Sequence, residues 1–320
     1  MTRKIILSLI LVVGLLLNGA SQASAAPKFP ERVVEIIVPA GAGGGSDAFA
    51  RALGIEISAI FGVPVNVLNI PGASEAIGLQ ELINRPADGY TLMTTTTTHI
   101  TEAALGNRPN FSAVEGIALF HEDVYGLHVK ADSKWKTIED FIADAKAKPG
   151  QLIVGGQYPM SLDELVLRKL ENAIGIELNY IPYDSAGQFL ADVLGGHIDM
   201  IIDEYSVVKE VLEAGQIRSL LTVNKERLAQ YPDIPTTVEK GWNVTDGLIR
   251  GLLIKSDTPA EIKAVWEETL KKAYDTDNYQ KFCEERLLKF KEAYTDAKGY
   301  NELMGRQVGE FKAIIDELKK

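Results

Sequence analysis

Apolar and polar positions set out one arrangement twice along this chain. Residues 33–38 (VVEIIV) form a β-branched apolar run, which predicts a buried strand. Pro39 ends it. A glycine-rich loop follows, Ala40-Gly41-Ala42-Gly43-Gly44-Gly45, and Ser46 or Asp47 is placed to cap a helix. Phe49, Leu53, Ile57 and Ile60 then recur at helical spacing to about Phe61, where Gly62 stops the run. Residues 65–68 predict the next strand. The second copy lies further along. Residues 151–154 predict a strand, 155–161 a loop (GGQYPMS) with Ser161 or Asp163 as cap, and 165–174 a helix that Gly175 stops. Residues 176–181 then predict a strand. The separation is too long for a solenoid repeat. It predicts two α/β lobes of similar build, each with a mainly parallel sheet.

Beyond the repeat, the pattern predicts a strand over 198–202, a helix over 206–214 capped by Gly215, and a strand over 218–223. From Thr258, read as a cap, and Pro259, at the first helical turn, the chain is mostly helix. Ile262, Val265 and Leu270 face inward. A last helix carries Leu303, Met304, Val308, Phe311, Ile315 and Leu318 on one stripe, too short for a coiled coil.

The first residues are patterned differently. Arg3 and Lys4 precede an apolar run over 5–17, and small residues lead to Ala23-Ser24-Ala25. This is the build of a secretory signal peptide cut near Ala25, and the run is short for a membrane span. The mature protein is therefore expected in the periplasm. A single cysteine, Cys283, excludes an internal disulfide and fits an oxidising compartment.

Composition narrows the chemistry. A length of 320 residues suggests about two domains, and 46% hydrophobic with 24% charged residues is ordinary for a folded protein. Net charge is −11, from 33 basic and 44 acidic residues, which argues against nucleic acid as a partner. The four histidines, His99, His121, His128 and His197, lack the spacing of a helical zinc site. No metal and no cofactor are expected.

The loop at 41–46 is the strongest chemical signal. A helix start offers unpaired amides and partial positive charge, and glycines let a ligand approach the backbone. A nucleotide P-loop needs lysine where Ser46 and Asp47 stand. A dinucleotide fingerprint needs glycine at Ser46 and an acid where the next strand ends, at Asn69. A small carboxylate fits better, held by amides and hydroxyls without an arginine. Asp47 reads equally as a ligand contact or as a cap paired with Arg51. Residues 44–48 (GGSDA) distantly resemble a nucleophile elbow, but Ala48 replaces its last glycine and no histidine is marked as base. A secreted serine hydrolase using Ser46 is the alternative from another class. A ligand-sensing domain feeding a signalling receptor is a third reading.

Short segments then accumulate in a specific order. They are residues 38–47 (VPAGAGGGSD), 69–73 (NIPGA), 86–92 (PADGYTL), 148–150 (KPG), 181–183 (IPY), 194–199 (LGGHID) and 234–236 (IPT). Together the chain resembles the Bug receptors, the extracytoplasmic solute-binding proteins of tripartite tricarboxylate transporters. The resemblance implies an α/β, two-lobed periplasmic-binding-protein-like fold of type II with a ligand cleft between lobes. It places lobe one at 26–123 plus 249–320 and lobe two at 124–248. It implies a monomer that captures a small carboxylate, aliphatic or aromatic, and delivers it to membrane permease subunits, without catalysis. The expected contacts are Ala40, Gly43, Gly44, Gly45, Ser46, Asp47, Thr98 and His99 on one side, and Gln157, Tyr158, Ser161, Tyr183, Ser185 and Asp203 on the other. Two departures stand out. Ala40 replaces the family's usual aromatic, and Tyr158-Pro159-Met160 replaces a glycine-rich turn, so Tyr158 offers a stacking face.

Overall fold

The run that opens the first unit forms strand β1, Val34–Val38, buried along most of its length, as a strand covered on both faces must be. The coordinates are a computed structural model, and the structure describes residues 29–183, 185–289, 291 and 294–318. The expected signal peptide lies outside the described residues. The chain divides into Met1–Glu31 and one compact unit, Arg32–Lys320, which holds the strands and helices of the described residues.

After β1 come α1 (Gly45–Phe61), β2 (Val65–Asn69), α2 (Ala76–Asn84), β3 (Thr91–Thr96), α3 (Thr97–Ala104) and β4 (Val114–Asp123). One residue later β5 (Tyr125–Lys130) opens a second sheet. It continues through α4 (Ile138–Ala147), β6 (Ile153–Gln157), α5 (Leu162–Ile174), β7 (Asn179–Tyr183), α6 (Ala186–Gly195), β8 (Met200–Glu204), α7 (Tyr205–Glu213) and β9 (Ile217–Val223). The chain returns to the first sheet with β10 (Leu248–Lys255), then α8 (Ala260–Tyr274), α9 (Asp277–Glu285), β11 (Thr295–Asp296) and α10 (Ala297–Leu318). The sheets run β11-β4-β10-β3-β1-β2 and β7-β6-β8-β5-β9. This is a two-lobed α/β fold.

Neither sheet is mainly parallel, contrary to the sequence expectation. In the first, β1 pairs in parallel with β2 and β3, but β10 runs antiparallel to both β3 and β4. In the second, β6 pairs in parallel with β7 and β8, while β5 is antiparallel to β8 and β9. The antiparallel members are β5, the first strand after the chain crosses to the second sheet, β10, the first after it returns, and the short β11, which pairs antiparallel with β4. The doubled unit seen in sequence, β1-α1-β2 and β6-α5-β7, supplies the parallel part.

Local boundaries differ for identifiable reasons. The α1 cap is Gly44, with no side-chain bond, rather than Ser46 or Asp47. Thr258 does not cap α8, whose N-cap is Pro259. Strand β6 extends through Gly155, Gly156 and Gln157, which read as loop. The two glycines belong to the strand because they pair with Ile181 and Pro182 of β7, and they are glycine because neighbours fill the space: a β-carbon on Gly155 would lie 2.6 Å from Ile198, and one on Gly156 2.8 Å from the Tyr180 hydroxyl. A glycine forced by packing carries no period-2 apolar signal. The α10 stripe packs inward as expected, with Met304, Phe311 and Ile315 buried; the side chain of Leu318 lies outside the described residues.

Tyr300, at the start of α10, is fully buried. It lies against Gly116 of β4 and Gly251 of β10, where a β-carbon on Gly251 would approach the ring to 2.6 Å. Its hydroxyl has no hydrogen-bond partner among the described residues. Gly251→Ala is therefore expected to cost about 1–3 kcal/mol by overpacking. Tyr300→Phe removes an unsatisfied polar atom and is expected to stay within about 0.5 kcal/mol of the parent or exceed it. Urea unfolding midpoints of the two variants check both.

Candidate functional site

The candidate residues collect where parallel strands end, the usual ligand edge of α/β sheets. Residues 40–47 follow β1 and Thr98 follows β3. Gln157 ends β6 and residues 158–161 follow it, Tyr183 and Ser185 bound the end of β7, and Asp203 lies near the end of β8.

In the first loop Asp47 faces inward as a brace. Its Oδ2 accepts from the Gly43 amide at 2.9 Å and from Arg51 Nε at 3.0 Å, and its Oδ1 accepts from Asn69 Nδ2 at 3.0 Å. Asn69 also donates to the Ala40 carbonyl at 3.1 Å. Arg51 first, and the Gly43 amide second, hold the Asp47 carboxyl down at about 2. With Gly43 in the left-handed region at φ 83°, these bonds fix the turn. The first-turn amides of α1, at Gly45 and Ser46, have no intrahelical acceptor. Gly44 and Gly45 are exposed and Ser46 is half-buried.

A cation lies beneath this turn, where the sequence suggested none was needed. A β-carbon on Gly45 would sit 2.9 Å from Nη2 of Arg250. Arg250, on β10, is buried and ion-paired with Asp123 at the end of β4. Its Nε has no hydrogen-bond partner among the described residues.

Thr96 caps α3, accepting from the Thr98 amide at 3.2 Å while its hydroxyl donates to Glu75 at 2.8 Å. Thr95 donates to the other Glu75 oxygen at 3.3 Å. Glu75 is buried, and burial raises its carboxyl to about 7. It closes a run of three left-handed residues, Ala73, Ser74 and Glu75, which Arg108 anchors by donating to the Ser74 carbonyl. His99 is buried and stacked on Phe111, ring centroids 5.0 Å apart. Burial first, then Arg108, push it down to about 4, so it is neutral.

The second loop uses its own amides. Gln157 donates to Asp163 at 2.6 Å, Tyr158 to the Tyr183 carbonyl at 3.0 Å, and Met160 to Glu164 at 2.8 Å; Pro159 has no amide hydrogen. Ser161 caps α5 and donates to the Gln157 carbonyl at 2.5 Å, which Tyr180 also reaches at 2.6 Å. Tyr158 and Met160 are left-handed, and Tyr158 is 52% exposed. Tyr183 spends its hydroxyl on Asp192 at 2.6 Å. Ser185 is exposed at the start of α6 and makes no side-chain cap.

Under that loop lies an acidic cluster. Asp163 accepts from the Tyr125 hydroxyl at 2.8 Å. Asp203 is fully buried; its Oδ1 accepts from the Glu204 amide at 2.8 Å and its Oδ2 has no partner among the described residues. Burial, then the charge of Glu204, lift Asp163 to about 7 and Asp203 well above the carboxylate range. Arg250 feels both Asp123 and Glu204. One electrostatic path thus runs from Gly45 through Arg250 and Glu204 to Asp163 and Gln157. Arg250 and Glu204 carry no sequence signal as site residues, Asp163 reads only as a candidate cap, and Asp123 only as a lobe boundary. Arg250 and Asp123 stand 127 positions apart; Arg250 interrupts an apolar strand singly, and Asp123 closes a polar strand end, His121-Glu122-Asp123.

Other chemistry finds little here. Among the described residues no group of three His, Cys, Asp or Glu side chains is arranged to hold a metal. His121 bonds the Tyr279 hydroxyl at 2.6 Å and His128 bonds Ser219 at 2.8 Å, both buried. Among the described residues no helix is long and apolar enough to cross a membrane.

Comparison with known proteins gives a consistent result. A family model described as Tripartite tricarboxylate transporter family receptor matches residues 49–319. The chain is 31% identical over 298 residues to a UPF0065 protein in the gbd 5' region of Cupriavidus necator, covering 92% of this chain and 89% of that one. It is 28% identical to the protein BugT of Bordetella pertussis, over 73% of this chain and 74% of BugT. Among solved structures, a TctC solute-binding protein from Polaromonas superposes with TM-score 0.77 at 28% identity, covering 90% of this chain and 99% of that one. A Rhodopseudomonas palustris protein solved with adipate has the same fold, at TM-score 0.79 and 21% identity over 90% of this chain and 97% of its own.

The Asp47 brace is testable. Its carboxyl is depressed in the folded state, so its contribution is full above about pH 4 and fades as pH falls toward 2. Asp47→Asn is expected to lose about 1–3 kcal/mol at pH 7, with the gap to the parent closing over that acid window. Urea unfolding at a series of pH values checks the sign.

Proposed function

The chain belongs to the tripartite tricarboxylate transporter receptor family, and on that premise we propose that it captures a small carboxylate and hands it to the membrane permease subunits of such a transporter. Proteins of this family are periplasmic solute-binding receptors that work with transporter membrane subunits, and they are not enzymes. The serine-hydrolase alternative built on Ser46 therefore has no support. For this chain we take export by its N-terminal signal and action as a monomer as parts of the proposal.

One observation carries the carboxylate assignment. The first turn of α1 presents unpaired amides directly above a buried guanidinium, Arg250. Amide donors, helix dipole and a nearby cation all favour an anion. Two R. palustris neighbours of the same fold, solved with malate and with adipate, support that chemistry. We further propose that lobe one is 26–123 with 249–320 and lobe two 124–248, and that they close over the solute. The exposure of Tyr158 supports its use as a stacking face, since its ring is not consumed by its own lobe. Ala40, small where the family carries an aromatic, enlarges the pocket on the same reading.

A thermal-shift screen of aliphatic and aromatic carboxylates tests the reading. A true ligand at about 100 times its Kd adds about 2.7 kcal/mol to the folded state. Response to sugars or cations alone, with none to acids, would overturn it. Gly45→Ala drives a β-carbon toward Arg250 and is expected to weaken the best acid about tenfold or more. Tyr158→Ala is expected to weaken aromatic acids more than aliphatic ones in the same titrations; equal losses would remove the stacking role.

A further inference from the structure

The turn that joins β2 to α2 is built against the preference of its residues. Ala73, Ser74 and Glu75 lie in the left-handed region at φ 47°, 48° and 72°, where a β-carbon is strained and glycine is not. Ala73 and Ser74 are exposed, while Glu75 turns inward and keeps 9% of its surface. The Glu75 side chain is what holds the turn down. One oxygen accepts from Thr96 at 2.8 Å and the other from Thr95 at 3.3 Å, both on β3. Arg108 holds the neighbouring Ser74 carbonyl.

This carboxyl has no ion pair of its own among the described residues. Arg108 is the cation whose charge reaches it, but that guanidinium is bonded to Ser74 and shared with Glu102 of α3 at 3.8 Å. His99 of α3 lies near Arg108 and is neutral. Tyr300 of α10 faces Glu75 with a buried, unpartnered hydroxyl. On β10, Arg250 is paired with Asp123, and Lys255 is bonded to the carbonyls of Ile83 and Arg85. On β1, Glu35 pairs with Arg85 at the far end of α2. The ionised carboxyl therefore has two hydroxyls and a divided cation against the cost of burial. The neutral acid is better served. The Thr95 hydroxyl has a second acceptor, the Thr96 carbonyl at 3.4 Å, so it can turn there and accept from a protonated Glu75.

We propose that Glu75 is a proton-operated latch on the β2–α2 turn: protonated, it locks residues 73–75 against β3, and ionised, it gives its proton to solvent and leaves for water, taking the turn with it. Strain in the three left-handed residues pulls the same way as charge. Burial raises the locked carboxyl to about 7, against 4.5 when it is released. The latch is thus complete below about pH 4.5 and lost as pH rises to about 7. Release also frees the Thr96 hydroxyl, which caps α3 two residues before Thr98, so the start of α3 loosens with the turn. None of this depends on which solute is bound.

Hydrogen–deuterium exchange on the full chain reads the latch directly. The amides of Ala76, Ile77 and Leu79 donate to the carbonyls of Ala73, Gly72 and Glu75, so they open when the turn leaves. Corrected for the intrinsic pH dependence of exchange, their opening equilibrium is expected to rise about a hundredfold from pH 5 to pH 8. Glu75→Gln, which mimics the neutral acid, is expected to flatten that profile, with amides of α10 unchanged in both proteins. If Glu75→Gln does not fold, Thr95→Val serves instead: it removes a donor from the ionised carboxyl and is expected to move the rise to higher pH. A flat profile in the unaltered protein overturns the latch, as does an identical rise in either variant.

Discussion

The ion pair between Arg250 and Asp123 is the constraint on which the site depends. It joins β10 to the last residue of β4, at the point where the chain leaves the first sheet for the second. Both partners are buried, so removing either strands a charge, a loss that commonly reaches several kcal/mol. Ser206 of α7 adds a hydroxyl to the same Asp123 oxygen at 3.3 Å, so the pair is tied to the second sheet as well. Because Arg250 also fills the space under Gly45, the pair connects the first turn of α1 to the crossing between the two sheets.

Around that pair the loops are held ready rather than left loose. Left-handed residues other than glycine are costly, about 1–3 kcal/mol where strain is real. They occur here at Ala73, Ser74 and Glu75, and again at Tyr158 and Met160. Each run is pinned by specific bonds: Thr95, Thr96 and Arg108 for the first, Tyr183, Glu164 and Tyr180 for the second. Backbone that is fixed before the solute arrives loses less entropy on binding.

Much of this was legible in the sequence. The β-branched run of β1, the helical spacing in α1, and the glycines that stop α1 and α5 in the left-handed region all have local causes. The order of the short motifs named the family. The rest was hidden because its causes are not local. Gly155 and Gly156 are strand residues through their pairing with β7, and glycines because Ile198 and Tyr180 occupy the space a side chain would take. Sheet direction follows from where β5 and β10 enter. Asp47 reads two ways in the sequence because its partners, Asn69 and the Gly43 amide, are brought to it only by the folded turn. Arg250, Asp163 and Glu204 gain meaning only from one another.

The crossing from β4 to β5 passes through Val124 alone, buried and with its carbonyl bonded to the Tyr205 amide at 3.0 Å. The return from β9 to β10 spans residues 224–247. A tether of one residue has no slack, so at that corner the lobes cannot separate or slide. Val124 thus pins the two sheets at one point without fixing an axis, and the longer return strap is the connection with slack to follow any rotation about it.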